Sequence, residues 1–273
     1  MTRLAIIAGQ GHLPLYVARA AAELGYEVFI FPIQGQSDSV FEGFNAKPVK
    51  LGAISKIKHY LKEAGCNEML MVGKVVWPSI SALRPDESAV KLLGKLVKRG
   101  DDSVLRAIAH YFSEDGIVTI SVKKFLAHRA MPSGHVAGPT LSVTDQSLID
   151  IGIDVLDRLG DSDVGQAVVL QNGRVLAIEA AEGTTAMVTR STGLIDKHAG
   201  PAVLLKMQKS GQDNRLDTPF IGIETLQAAI DSGIHVLAIE AGNVLLAEDV
   251  HVMSDFCSKY SLTFVGISSK ARL

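Results

Sequence analysis

The segment Gln212–Leu226, "QDNRLDTPFIGIETL", sets polar chemistry directly against an apolar run. Arg215 has the planar fork that grips a phosphate through two parallel hydrogen bonds. Asn214 stands beside it, and Asp217 precedes Thr218-Pro219. A residue before proline is pushed away from helical backbone, which fixes the carboxylate at an element boundary. A loop salt bridge from Arg215 to Asp213 or Asp217 is the competing reading. A second group, "IEAAEGTTAM", places Glu179, Glu182, Thr184 and Thr185 around Gly183. Carboxylates and hydroxyls at a strand end suit a hard cation, Mg²⁺ or Mn²⁺. Such an ion takes one or two carboxylates and leaves room for phosphate oxygens. A helix cap with a solvated glutamate explains the same residues without a ligand.

Three further places carry candidate ligand contacts. "AGQGHLP" puts Gly9, Gly11 and His12 between a strand and a helix, where backbone N–H groups can cradle a phosphate. Pro14 replaces the third glycine of a dinucleotide fingerprint and no acid closes the next strand, so NAD is disfavoured. The alternative is a tight turn that binds nothing. "VGKVVWPS" puts Gly73 and Lys74 at another strand end, with Trp77 available to stack on a base or simply to pack. "KRGDDSVLR" puts Asp101 and Asp102 before a helix; capping accounts for one, and a pair can also meet Mg²⁺ or a sugar hydroxyl. The eight histidines form no metal-binding spacing, and no nucleophile elbow, CxxC or P-loop is present.

The elements that must position these residues are α/β throughout. In the first half, apolar runs "RLAIIAG", "YEVFIFPI", "EMLMVGKV" and "IVTISV" alternate with amphipathic stretches. "AISKIKHYLKEAGC" carries Ile54, Ile57, Tyr60 and Leu61 on one helical stripe. This alternation predicts an open parallel sheet covered by helices over residues 1–128. Residues 129–146, rich in proline, glycine and hydroxyls, read as a linker or a wall of the site. Residues 147–273 predict a second α/β domain with a mixed sheet. Hairpins are expected at Asn172-Gly173 and at Gly242-Asn243, with helices at "LKMQKSG" and "IETLQAAIDSG". The string VLAIEA occurs at 175–180 and 236–241; a duplicated unit is one reading, but the different flanking order favours two independent buried strands each ending in Glu.

The bulk numbers narrow the function class. The chain has 273 residues, 47% hydrophobic and 21% charged, with mean hydropathy +0.24. A large core is expected and disorder is not. A net charge of −2 gives no field for nucleic acid. The two cysteines have no metal or framework spacing, and no run reaches a membrane span or forms a signal peptide, so a cytoplasmic protein is expected.

Five segments in order, "IAGQGHLP", "GKVVWPS", "RGDD", "VGQAVVLQNGRVLAIEAAEGTTAM" and "DNRLDTPFIGIETL", resemble the UDP-2,3-diacylglucosamine pyrophosphatases of the LpxI type. The resemblance covers nearly the whole chain. It implies a Rossmann-like N-terminal domain, a distinct C-terminal domain and a Mg²⁺-dependent hydrolase of lipid A biosynthesis. The substrate would be UDP-2,3-diacylglucosamine and the products UMP and 2,3-diacylglucosamine 1-phosphate. Asp217 falls on the family's essential aspartate, Gln166 on the Gln of its "GQ" segment, and Thr184 on the Thr after Glu-Gly. Thr185 stands where some members carry Asp, which leaves Glu179, Glu182 and Asp217 as the acids for a metal. Peripheral contact with the inner membrane of a Gram-negative bacterium and a homodimer are further expectations. The alternatives are a non-catalytic nucleotide- or lipid-binding protein and a sugar-nucleotide transferase; the acids favour the hydrolase, and the missing DxD motif speaks against the transferase.

Overall fold

A computed structural model describes residues 1–76, 83–94, 101–160, 162 and 164–268. Trp77 lies outside them. The chain forms two compact units, Met1–Leu126 with Asp213–Asp217, and Ala127–Gln212 with Thr218–Leu273.

In the first unit, β1 (Arg3–Ala8), β2 (Glu27–Pro32), β3 (Asn45–Ala46), β4 (Glu68–Val72) and β5 (Val118–Thr119) form a parallel sheet in the order β3-β2-β1-β4-β5. Ala5 and Ile7 of β1 pack in one cluster with Ile54, Ile57 and Phe112. Alternate residues Leu4, Ile6 and Ala8 face the other way and are also fully buried. Both sheet faces are therefore covered, which is why the strands read as continuous apolar runs. Helices α1 (Leu13–Glu23), α2 (Ile54–Glu63), α3 (Glu87–Gly94), α4 (Asp101–Ser113) and α5 (Lys123–Leu126) follow the expected alternation. In α1 the buried residues Pro14, Val17, Ala18 and Ala21 keep one helical face. In α2 Lys58 joins Ile54, Ile57 and Leu61 as buried, with its ammonium over the Tyr111 ring, while Tyr60 packs at the margin. The strand expected at "IVTISV" shrinks to the two residues of β5, at the sheet edge.

In the second unit, β6 (Gly134–Ala137), β7 (Ala167–Gln171), β8 (Arg174–Ile178), β9 (Ala202–Lys206), β11 (Val236–Glu240) and β13 (Thr263–Ile267) make a mixed sheet ordered β6-β13-β11-β9-β7-β8. Strands β9, β11 and β13 run parallel, and the flanking pairs are antiparallel. Helix α6 (Val143–Gly160) covers one face through Leu148, Ile149, Ile153 and Leu156. Helices α7 (Thr184–Ser191), α8 (Ile223–Ser232) and α9 (Val250–Lys259) supply Val188, Leu226, Ala229 and Met253 to the other cluster.

Three expectations change here. The stretch 129–146, read as a linker, holds β6 and the start of α6; its glycines and hydroxyls are the turns around an edge strand. "LKMQKSG" is not a helix. Its first residues end β9, where placement between β7 and β11 overrides the helix propensity of Leu and Lys. Gly242-Asn243 does not close a hairpin, although Asn172-Gly173 does between β7 and β8. Both edges of β11 are already taken by β9 and β13. The following β12 (Leu245–Leu246) pairs instead with β10 (Phe220–Ile221), in parallel.

Candidate active site

The carboxyl ends of β1 and β4 flank the point where the first sheet reverses its strand order, the usual ligand crevice of such sheets. Here the glycines serve close packing. A Cβ on Gly9 would sit 2.6 Å from the Lys74 carbonyl oxygen, and one on Gly73 would sit 2.7 Å from that of Gln10. The loop donors are spent internally: Gly9 N–H goes to Val72 O, Gln10 N–H to Lys74 O, and Gly11 N–H to Asp38 Oδ1 at 2.8 Å. Ser39 Oγ donates back to Gly11 O, and the Gln36 amide makes two bonds with the Val76 backbone. The open phosphate cradle expected at Gly9 and Gly11 is thus closed by a strap, residues 36–39, that sequence reading missed. His12 caps the start of α1 without a side-chain bond and is exposed, as is Lys74. Helix α4 already includes Asp101 and Asp102.

The segment Asp213–Asp217 belongs to the first unit, where Ser121 Oγ donates to Asn214 O. Arg215 donates Nε and Nη2 to Asp213 at 3.0 and 2.7 Å, so its fork grips a neighbouring carboxylate, the alternative the spacing had left open. That guanidinium holds the Asp213 carboxyl below its ordinary range, with Arg106 adding to the effect and partial burial opposing it. The Asp213 carbonyl accepts Leu216 N–H at 2.9 Å and closes a turn. Leu216 and Thr218 are buried on either side of half-buried Asp217.

In the second unit the carboxyl ends of β9 and β11, the start of β7 and the end of β8 share one sheet edge. Several polar groups are buried along it. Lys206 is 5% exposed, Glu179 8%, Thr184 9% and Glu240 2%. Lys206 Nζ donates to Thr184 Oγ1, and the Thr184 hydroxyl donates in turn to Glu179 Oε1 at 2.7 Å. The other Glu179 oxygen accepts Gln166 N–H at 3.1 Å. Gly165 makes that approach possible, because a Cβ there would overlap Glu179 O. Glu240 accepts Gln208 N–H and the Asn243 amide. Thr184 is the first residue of α7, and the N–H groups of Thr184, Thr185 and Ala186 are those that a helix leaves without internal acceptors. This end attracts anions. The Thr185 hydroxyl bonds that of Thr225 on α8.

Among the described residues no three of His, Cys, Asp or Glu come together to hold an ion. Both oxygens of Glu179 are engaged, and Glu182 pairs with Arg190 at 2.9 Å. Its own backbone N–H, with help from that guanidinium, holds the Glu182 carboxyl below its ordinary range, against burial, which pushes it up. In the second unit, Glu179 and Glu182 are thus both held by protein partners. A hard cation bound by Asp217 and completed by phosphate oxygens and water does fit the donor chemistry. Sequence reading also missed Lys206 and Asp38: the one fell in "LKMQKSG", read as a helix, and the other reaches Gly11 only through the fold. No helix among the described residues is long and apolar enough to cross a membrane.

The chain is 31% identical over 256 residues to UDP-2,3-diacylglucosamine pyrophosphatase LpxI of Caulobacter vibrioides, with 91% of each chain covered. Among solved structures, a putative NAD-dependent epimerase/dehydratase from Methylobacillus flagellatus is 10% identical, covering 53% of this chain and 46% of its own, with TM-score 0.27. A GalE-like L-threonine dehydrogenase from Cupriavidus necator is 9% identical, covering 98% and 91%, with TM-score 0.31. Neither likeness carries an argument. Residues 3–129 match the LpxI N-terminal domain and residues 132–265 the LpxI C-terminal domain, and the chain belongs to the LpxI family.

Proposed function

We propose that the protein hydrolyses the pyrophosphate of UDP-2,3-diacylglucosamine, giving UMP and 2,3-diacylglucosamine 1-phosphate for lipid A. The observation that carries this reading is the start of α7. There the family's Glu-Gly-Thr segment forms an anion-attracting helix end with a buried ammonium behind it. The relative that covers 91% of the chain is named for this activity.

In the reaction one P–O bond of the anhydride breaks and water oxygen joins a phosphorus, so the water must lose its protons. We assign this role, or that of holding the metal, to Asp217. Its backbone is fixed by the turn at Asp213 and by buried Leu216 and Thr218, so the carboxylate is preorganised. Bound Mg²⁺, or Mn²⁺, would neutralise charge on the pyrophosphate. The N–H groups at the start of α7 would receive phosphoryl oxygens. A substrate with two acyl chains resides in a bilayer, so the protein would work at the inner-membrane surface.

The test is incubation of pure protein with UDP-2,3-diacylglucosamine and Mg²⁺, reading UMP and the lipid 1-phosphate. Stoichiometric release of both supports the hydrolase. Substrate binding without UMP would make the protein a carrier instead.

A further inference from the structure

The buried pair Lys206 and Glu179 is a charge balance joined through one hydroxyl. Lys206 ends β9, and its ammonium has three donors. Among the described residues its one hydrogen-bond partner is Thr184, and it forms no ion pair. A lysine 5% exposed without a touching carboxylate is uncommon, because burying an ammonium is costly unless something offsets it. Glu179 offers compensation through one intervening group, since it accepts the hydroxyl of the same Thr184. Glu179 has its own reason to be there: it ties the start of β7 to the end of β8 through Gln166 N–H. That leaves a carboxylate directly behind the first residue of α7, at a helix end whose dipole favours anions.

An anionic side chain at that place works against any phosphate that approaches the same helix end. We propose that Lys206 is a positioning residue for phosphate binding: it offsets the Glu179 charge and holds the Thr184 hydroxyl turned to Glu179, so that the start of α7 stays receptive to an anion. This rests on the functional reading above, and it adds a residue and a role that the family's segments do not contain. Lys206 acts through Thr184. It makes its contribution to binding in the ground state and the transition state alike, so its loss should raise KM more than it lowers kcat.

The experiment compares Lys206→Met, Lys206→Arg, Glu179→Gln and the double variant Glu179→Gln/Lys206→Met, each checked for folding by thermal unfolding. KM and kcat are read with UDP-2,3-diacylglucosamine, and affinity for inorganic pyrophosphate is read by calorimetry. Lys206→Met should raise KM and weaken pyrophosphate binding by roughly 10- to 10²-fold, the scale of one uncompensated charge at an effective dielectric near 20. Lys206→Arg should keep most of the affinity. The double variant, with both charges gone, should recover to within several-fold of wild type. An unchanged KM in folded Lys206→Met overturns the proposal, and so does a double variant no better than the single one. If Lys206→Met does not fold, Glu179→Gln decides: with the cation left in excess it should bind pyrophosphate more tightly, and equal or weaker binding overturns the idea. A wild type that binds pyrophosphate but does not turn over the lipid defeats the functional reading alone.

Discussion

Arg215 clamps Asp213, two positions before it, with Nε 3.0 Å from Oδ1 and Nη2 2.7 Å from Oδ2. The same aspartate closes the turn through its carbonyl, so the pair shapes the backbone that leads to Asp217. The arginine side chain is largely exposed and the aspartate is mostly buried. An exposed partner limits the stability of such a pair to about 1 kcal/mol or less.

If this pairing is the main task of Arg215, its removal should disturb the turn without removing a phosphate contact. Arg215→Ala and Asp213→Ala should each lower kcat/KM by less than about 10-fold, and the double variant should be little worse than either, because all three lose one pair. A drop of about 10³-fold confined to Arg215→Ala would instead place the guanidinium on the pyrophosphate.

The first glycine loop should prove a packing device. Gly9→Ala forces a methyl against the Lys74 and Gly73 carbonyls, at 2.6 and 2.8 Å, and backbone cannot swing aside as a flexible side chain can. A loss of roughly 1–3 kcal/mol is expected for such overpacking. Gly11→Ala meets no atom within 4 Å, but φ is +87°, so its cost is backbone strain of about 1–2 kcal/mol. Urea midpoints should therefore fall in both variants and further in Gly9→Ala. The reverse order would mean that the two loops can separate easily.

Stability in acid should depend on Asp115. Hydrogen bonds from Lys58, then Lys62, lower its pKa to about 2, and Glu114 also faces Lys58. A depressed folded-state value means that the ionised form is favoured by folding. The contribution is fully present above the unfolded value of about 3.9 and is lost as pH falls through about 2. Asp115→Asn should thus lower the urea midpoint at pH 7, and its difference from wild type should shrink between pH 4 and 2. A difference that stays constant over that range would show that the carboxylate charge is not involved.

Much of this architecture was legible because periodicity and burial agree. The runs at β1, β2 and β4 are apolar on both faces because the parallel sheet is covered on both sides, and α1 and α2 show their buried stripes directly. Asn172-Gly173 announces its hairpin through local turn chemistry alone. β9 was hidden since "AVLLK" has no period and its Leu and Lys favour helix; only its neighbours β7 and β11 decide. For the same reason Lys206 could not be seen as buried, although a lysine closing an apolar run was a usable signal. The repeated VLAIEA did mark two strands that end at buried glutamates, Glu179 and Glu240, but one strand is an edge hairpin arm and the other the middle of a parallel sheet. Asp38 sits in a polar loop and its approach to Gly11 is tertiary, so spacing could not reveal it.

The sharpest expectations concern Asp217 and the metal. The chain on each side of Asp217 is held: Leu216 and Thr218 are buried, Leu216 N–H bonds the Asp213 carbonyl, and the Pro219 carbonyl accepts Leu245 N–H. Removing the carboxylate should therefore leave the backbone path in place. The proposed contacts to uridine, sugar and acyl chains would also remain, so substrate binding should persist while the interaction made in the transition state is lost. Asp217→Ala should lower kcat by roughly 10²-fold or more, the scale of a lost general base, with KM changed by less than several-fold. Excess EDTA should abolish wild-type turnover, and Mg²⁺ or Mn²⁺ should restore it, because a hard cation takes one or two carboxylates and completes its shell with phosphate oxygens and water. If Asp217 is that ligand, the variant should also need far more Mg²⁺ to reach its residual maximum. A folded Asp217→Ala variant with near-normal kcat would remove Asp217 from the chemistry. Full activity in EDTA, with no metal found in the protein, would remove the ion.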